Sequence, residues 1–212
     1  HSSAYRAPEA FADQRVVVIG AANSAVQIAY ELAGVAQVVL ATREKIRFFP
    51  QRILGLDFHA WLKLTRLEQT RWLSDQSTPV LDSGKYRKAL GTGYLQRKTM
   101  FQEVMPDGVV WPDGSIDKVD VLIFATGFRP NLEFLARLPV VGQQGHVLQR
   151  NGVADQVPGL YFVGLPKQRN FASATLRGVG DDASYLMPRL LEHLGEVGAT
   201  ERDTWLQSSC LP

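Results

Sequence analysis

The chain has 212 residues, with 23 Lys+Arg against 21 Asp+Glu and a formal net charge of +2. That balance, with no local block of Lys/Arg, excludes nucleic-acid binding through bulk charge. The 45% hydrophobic and 21% charged fractions are those of a folded protein rather than a disordered one.

The longest clear apolar stretches, Val16–Ile19 and Val119–Ala125, are far short of the ~20 residues that cross a bilayer, so no transmembrane helix is expected. One cysteine, Cys210, excludes a disulfide framework, a Cys-x-x-Cys redox pair and a thiolate zinc cluster within this chain. His1, His59, His146 and His193 are scattered without ligand spacing, and no metal site is expected. No signal-peptide pattern is present, which makes a cytoplasmic location the expectation.

In chain order, Val16–Ile19 is a β-branched run suited to a strand buried on both faces of a parallel sheet. It ends at Gly20, and Asn23 or Ser24 is placed to cap the following helix. Ala25, Ala29, Leu32 and Ala33 recur at helical spacing, Gly34 is a natural stop, and Gln37–Ala41 returns as a second strand. This is a β-α-β unit with a right-handed crossover. Phe58–Leu73 reads as a helix with Trp61 and Trp72 on its apolar face, ended by the polar stretch from Ser74 to Pro79. Tyr86–Gly93 is ambiguous. The turns Pro106-Asp107-Gly108 and Pro112-Asp113-Gly114 bracket Val109–Trp111 as a hairpin strand. Val121–Ala125 reads as another buried strand, Leu132–Leu138 as a short helix, Val147–Leu148 and Leu160–Val163 as strands, and Ala183–Leu194 as a helix. Gly195–Pro212 is expected to hold a short helix and a frayed tail.

Four segments carry chemistry. Gly20-Ala21-Ala22-Asn23-Ser24-Ala25 lies between a strand and a helix, the context of a dinucleotide fingerprint. Gly20 permits the tight turn, the helix N-terminus offers free N–H groups to a pyrophosphate, and a small residue at Ala25 lets helix and strand pack closely. Ala22 stands where the fingerprint has its second glycine, and its methyl group narrows the approach of the phosphates. Arg43 lies at the end of the second strand, where an acid holds the ribose of NAD and an Arg suits the 2′-phosphate of NADP. Thr42 adds a hydroxyl, and Glu44 lies one step past the strand end. Phe124–Asn131, including Thr126 and Gly127, is a strand entering a glycine turn, which by itself says only that backbone comes close to something there. Gly164, and Arg177–Ala183 with Asp181 and Asp182 at a helix start, read either as capping chemistry or as amides and an acid facing a flavin.

Together these segments resemble the flavin-containing monooxygenase family, in particular its CzcO-like bacterial flavoproteins. His1-Ser2-Ser3-Ala4-Tyr5 resembles the His-x-x-x-Tyr/Phe end of the family signature, although His1–Ser3 taken alone reads as a tag scar. Gly20–Ala25 resembles the NADPH turn, Ala125–Asn131 the Ala-Thr-Gly-Tyr/Phe-x-Pro-Asn motif, and Leu160–Gly164 and Ser173–Gly178 the flavin-side segments. The resemblance implies an α/β fold, a Rossmann-type NADPH-binding domain plus the C-terminal part of a split FAD-binding domain. The first FAD strand and its fingerprint would lie upstream of His1. The expected divisions are a linker over 1–12, the NADPH domain over 13–118, the flavin part over 119–194 and a tail over 195–212.

The implied activity is hydride transfer from NADPH to FAD, then oxygen transfer from a flavin hydroperoxide to a small substrate. Gly20, Ala22, Asn23, Ser24 and Ala25 would serve the pyrophosphate, and Thr42 and Arg43 the 2′-phosphate. Thr126 and Gly127 would lie near the junction of the two cofactors, and Gly164 and Asp182 would face the flavin. The implied partners are a small substrate and O2, with no nucleic acid and no membrane, and a homo-oligomer is left open. Two other readings stand beside this one: a flavin-dependent NAD(P)H reductase without oxygenation, and an inert nucleotide-binding fragment. A chain without its upstream flavin half is expected to leave strand edges near Phe124 and Phe162 open and to hold FAD weakly.

Overall fold

A computed structural model of the chain describes residues 1–67, 79–143 and 145–208, with side chains up to Gly195. The chain divides into two compact units, His1–Trp61 with Ser77–Phe128, and Leu62–Gln76 with Arg129–Pro212.

The first unit is built on a parallel sheet. From Arg15 to Phe124 the elements in chain order are β1 (Arg15–Ile19), α1 (Asn23–Leu32), β2 (Gln37–Thr42), β3 (Phe48–Pro50), β4 (Arg52–Ile53), β5 (Leu56–Asp57), α2 (Phe58–Thr65, which straddles the division at Trp61), β6 (Val80–Asp82), α3 (Lys85–Gly91), β7 (Gln96–Thr99), β8 (Glu103–Met105), β9 (Gly108–Val110), β10 (Ile116–Lys118) and β11 (Val121–Phe124). The main sheet runs β11-β1-β2-β7, with every neighbouring pair parallel.

The β-branched run of β1 has the physical meaning expected of it. Val16 and Val18 pack with Ala25, Val26, Ala29 and Leu32 of α1 on one face. Val17 and Ile19 pack with Val109 and Trp111 on the other. Alternate side chains therefore enter two different cores, and neither face has room for a polar residue. The second core rests on the antiparallel sheet β10-β9-β8, whose central strand contains the expected Val109 and Val110. The Trp111 indole N–H donates to Asp117 Oδ2 at 2.7 Å, and Lys98 pairs with the same oxygen. The Lys98 hydrogen bond, aided by Trp111, holds the Asp117 carboxyl below its ordinary range.

Several expected boundaries shift. Val121–Phe124 pairs with β1, register Val16↔Val121 to Ile19↔Phe124, so it completes the sheet of the first unit. The division expected at 118/119 therefore falls at 128/129, and the strand near Phe124 has its neighbour. Asp120 fixes this register: its Oδ2 accepts from both the backbone N–H and the Nε–H of Arg15, each at 2.8 Å. Residues 1–12 are not a bare linker, since Tyr5 and Phe11 pack against the first core. The Tyr5 hydroxyl donates to Glu31 at 3.0 Å, and burial first, then Glu31, pushes its pKa up. Tyr86–Gly93, ambiguous from sequence, lies in α3 and the turn after it. The helix expected over Phe58–Leu73 is described over Phe58–Thr65, and Trp72 and the Ser74 breaker lie outside the described residues.

The second unit has less regular structure. A 3-10 turn at Glu133–Leu135 replaces the expected Leu132–Leu138 helix. The hairpin β12 (Gln149–Arg150) and β13 (Val153–Ala154) is flanked by single bridges, Val141↔Val147 and Val153↔Tyr161. The strand expected at Leu160–Val163 is reduced to the Tyr161 bridge, and Phe162 serves instead in a small core with Val140 and Ala154. The final helix α4 runs Val179–Ser208, longer at both ends than Ala183–Leu194, with Pro188 inside it; Cys210 lies outside the described residues. Among the described residues no helix is long and apolar enough to cross a membrane, and no group of ligating side chains has a metal-site arrangement.

Asp82 shows how the helix next to the sheet is held. It is fully buried, with Oδ1 accepting from the Gly84 and Tyr86 N–H groups at 2.8 and 3.1 Å, and Oδ2 from the Arg87 N–H and Nε–H, both at 3.2 Å. Burial raises its pKa, but the backbone donors and Arg87 outweigh that and leave it lowered. A depressed folded pKa contributes stability above the unfolded value of ~3.9 that is lost as pH falls through the folded value. Asp82→Asn is expected to cost roughly 1–3 kcal/mol at pH 7, with the gap to the parent closing below about pH 4. Urea unfolding at several pH values measures both.

Candidate functional site

The site begins where β1 ends. Gly20 has φ 144°, and a Cβ there would stand 2.4 Å from the Ala125 carbonyl oxygen and 3.0 Å from the Ala25 Cβ. Three segments therefore close on one another at a point where only glycine fits. Ala25 is fully buried against that point, as a small residue must be.

The helix start differs from the sequence reading. Ala22 is the N-cap, in extended backbone (φ −103°, ψ −176°), and no side chain caps it. Asn23 turns away: its Oδ1 accepts the Leu81 N–H at 3.1 Å, and its Nδ2 donates to the Pro79 carbonyl at 3.4 Å. Asn23 thus latches β6 onto α1, and Ser24 is exposed. The first N–H groups of α1 are left uncapped at the positive end of the helix, an arrangement that fits a pyrophosphate. Ala22 needs no glycine conformation, so its methyl group is tolerated by the backbone.

This helix start opens into a cleft of about 310 Å³ lined by Gly20, Ala21, Ala22, Ser24, Glu44, Lys45, Arg47, Ala125, Thr126 and Gly127. The cleft sits at the C-terminal ends of β1 and β11, the edge where open α/β sheets take ligands. It brings together the expected Gly20, Ala22, Ser24, Thr126 and Gly127.

Thr42 and Arg43 do not line the cleft. Thr42 is buried, and its hydroxyl accepts the Arg97 Nε–H at 2.7 Å. Arg97 also donates through Nη2 to the Glu44 carbonyl at 3.1 Å. The expected hydroxyl contact is thus taken by a guanidinium from β7, while Arg43 is exposed. Lys45, Arg47 and Arg97 were not singled out by spacing. Lys45 and Arg47 were legible as a continuation of the run from Arg43, but Arg97 joins only because β7 pairs with β2 at Leu40↔Arg97.

The Gly127 turn has φ 94°. Its carbonyl accepts from His1 Nε2 at 3.1 Å, and the His1 ring meets Phe128 edge-on at 5.0 Å. His1 Nδ1 accepts the Ser3 N–H at 3.3 Å, which assigns the ring proton to Nε2. The N-terminal His is therefore fastened to the glycine turn, a pairing that the sequence does not reveal.

In the second unit, Gly164 has φ 88°, and a Cβ there would meet only Val179 Cγ2 at 3.8 Å. Asp182, in the first turn of α4, is fully buried; Oδ1 accepts from Arg169 Nη1 at 3.1 Å, and Oδ2 has no partner among the described residues. A buried acceptor left open beside a helix start suits a ligand that brings a donor.

The Gly20 contact predicts a specific loss. Gly20→Ala puts a methyl group against the Ala125 carbonyl and forces an unfavourable φ, at a cost of ~2 kcal/mol or more. Thermal unfolding is expected to show a Tm lower by several degrees, whereas Ala22→Gly leaves Tm nearly unchanged.

Residues 1–164 match the family model described as pyridine nucleotide-disulphide oxidoreductase. An uncharacterized CzcO-like oxidoreductase of Geobacillus kaustophilus is 34% identical over 201 residues, covering 91% of this chain and 57% of that protein. The CzcO oxidoreductase of Bacillus subtilis is 32% identical over 197 residues, covering 90% and 56%. Among solved structures, a flavin-containing monooxygenase from Stenotrophomonas maltophilia superposes with a TM-score of 0.72 at 28% identity, covering 90% of this chain and 53% of that one. The chain thus spans little more than half the length of these relatives. Its sheet, its uncapped glycine turn and these likenesses agree: the chain belongs to the pyridine nucleotide-disulphide oxidoreductase family, with the flavin monooxygenases, whose members use FAD and NADPH.

Proposed function

We propose that the chain forms the NADPH-binding part, and a portion of the flavin-binding part, of a monooxygenase acting on a small substrate with O2. The observation that carries this reading is the uncapped start of α1 behind Gly20, opening into a cleft walled by Lys45 and Arg47.

In this reading the amides at Asn23, Ser24 and Ala25 hold the pyrophosphate, Gly20 makes the tight turn, and the small methyl of Ala22 narrows the approach without closing it. Arg43 and Arg97 supply charge for the 2′-phosphate, with Arg97 held in place by Thr42 and the Glu44 carbonyl. Thr126 and Gly127 border the nicotinamide end, and Gly164 and Asp182 serve the flavin. FAD, when bound, supplies the hydride acceptor and the chemistry with oxygen. The chain's own contribution is to bind, orient and shield, and no residue in it is assigned as a general base.

Glu44 favours a second reading. A carboxylate on the wall of the cleft suits a ribose 2′-hydroxyl, and hence NADH. Fluorescence titration with each nucleotide separates the two. NADPH is expected to bind about tenfold more tightly than NADH, roughly 1.4 kcal/mol. Arg43→Ala and Arg97→Met should each remove most of that margin while leaving NADH affinity nearly unchanged. A preference for NADH that Glu44→Gln abolishes would establish the second reading instead. For the full-length FAD-loaded protein, oxygen uptake matched by an oxygenated product supports monooxygenation. NADPH oxidation with electrons passed to an added acceptor, and no such product, would replace it with a reductase.

A further inference from the structure

The second unit holds a cluster of cations that the nucleotide reading does not use. The turn between β12 and β13 and the loop after Gly164 enclose a cavity of about 410 Å³ lined by Arg150, Asn151, Lys167, Gln168 and Arg169. Three cations and two amides line it, and no carboxylate does. Arg150 and Lys167 are exposed, and no carboxylate among the described residues pairs with either. Arg169 is held from behind: Nη1 donates to Asp182 Oδ1 and the Asp181 carbonyl, and its guanidinium lies 3.9 Å over the Tyr185 ring.

Gln168 makes this more than a surface patch. It is only 3% exposed, its Oε1 accepts the Leu165 N–H at 3.2 Å, and its Nε2 has no partner among the described residues. The Leu165 bond fixes which end of the amide is oxygen, so the unpaired group is a donor. A buried donor without an acceptor is costly, and a ligand that supplies the acceptor recovers that cost. Only glycine fits at position 152 beside this amide, since a Cβ there would stand 2.6 Å from Nε2 and 2.7 Å from the Phe162 carbonyl oxygen. Arg169 is already paired with Asp182, but Arg150 and Lys167 have no carboxylate partner among the described residues, and a buried donor beside them calls for an oxyanion.

We infer that this cavity is a binding site for a phosphate group, free or carried by a small phosphomonoester. Nε2 of Gln168 donates to one oxygen, and Arg150 and Lys167 balance a dianion, with Arg169, paired to Asp182, offering further donors. Carboxylates carry one charge and fill the cationic wall less well. The site is independent of the nicotinamide cleft, which lies in the other unit, and does not rest on the proposed function.

Amide NMR of the 15N-labelled full chain at low ionic strength tests this, with inorganic phosphate, glycerol 3-phosphate and acetate as probes. Phosphate is expected to shift the Gln168 side-chain amide and the Asn151 N–H saturably, with a Kd of about 1 mM or tighter. Acetate should do so at least tenfold more weakly. Tighter binding of glycerol 3-phosphate would identify a phosphomonoester as the ligand, and equal or weaker binding would identify free phosphate. The Arg150→Ala/Lys167→Ala double variant changes only exposed side chains and should keep its Tm while losing the shifts. Gln168→Glu keeps the Leu165 bond and should abolish binding, whereas Arg43→Ala should leave it intact. A Gln168 amide that phosphate does not move, or shifts that survive in the double variant, would overturn the site.

Discussion

Everything at the cleft behind β1 depends on one close approach, the backbone of Gly20 against the carbonyl of Ala125. Parallel pairing of β1 with β11 brings the ends of both strands to the same level, and the chain must then turn into α1 without a side chain in the way. Once that turn is made, α1 begins close under the sheet edge with Ala25 packed beneath it. The cost is a helix start with no cap, which leaves donors facing the cleft. Packing and binding chemistry are thus the same constraint seen from two sides. A bulkier turn would clash with the Ala125 carbonyl and, on the proposed reading, move the amides away from the pyrophosphate.

The charge around this edge is arranged in depth. Arg97 spans Thr42 and the Glu44 carbonyl and so fastens the segment that bears Arg43 to the neighbouring strand. Such an anchored guanidinium has already lost much of its rotamer freedom, and a phosphate meeting it forfeits less entropy on binding. Glu44 lines the cleft itself, and in the proposed reading the balance between its charge and that of the arginines decides which nucleotide is preferred. Arg15 with Asp120, and Asp82 under α3, act further from the cleft. They fix strand register and helix position by charge-assisted hydrogen bonds.

Much of the first unit was legible in sequence because its signals are local. The run Val16–Ile19, the helical spacing from Ala25 to Leu32 and the Pro-Asp-Gly turns around Val109 each encode one element within a few residues. What failed depends on partners distant in the chain. The strand Val121–Phe124 falls within the expected flavin part, yet it pairs with β1 through four register pairs. The position of Thr42 at a strand end suggests a ligand contact, but its hydroxyl accepts from Arg97. Asn23 looks like a cap, but β6 competes for its side chain. In the second unit, Leu160–Val163 has strand composition but forms only a bridge at Tyr161, and Phe162 is spent on a small core. Gln168 gives no sequence signal at all, since its importance lies in the hydrogen bond it does not make.

The central claim is that the uncapped amides of α1 receive the pyrophosphate of NADPH. Backbone amide NMR of the 15N-labelled chain, with and without NADPH, tests it most directly. The account predicts that the N–H signals of Asn23, Ser24 and Ala25 shift together and saturate at the same nucleotide concentration. Saturable NADPH binding that leaves those three amides unmoved would contradict it.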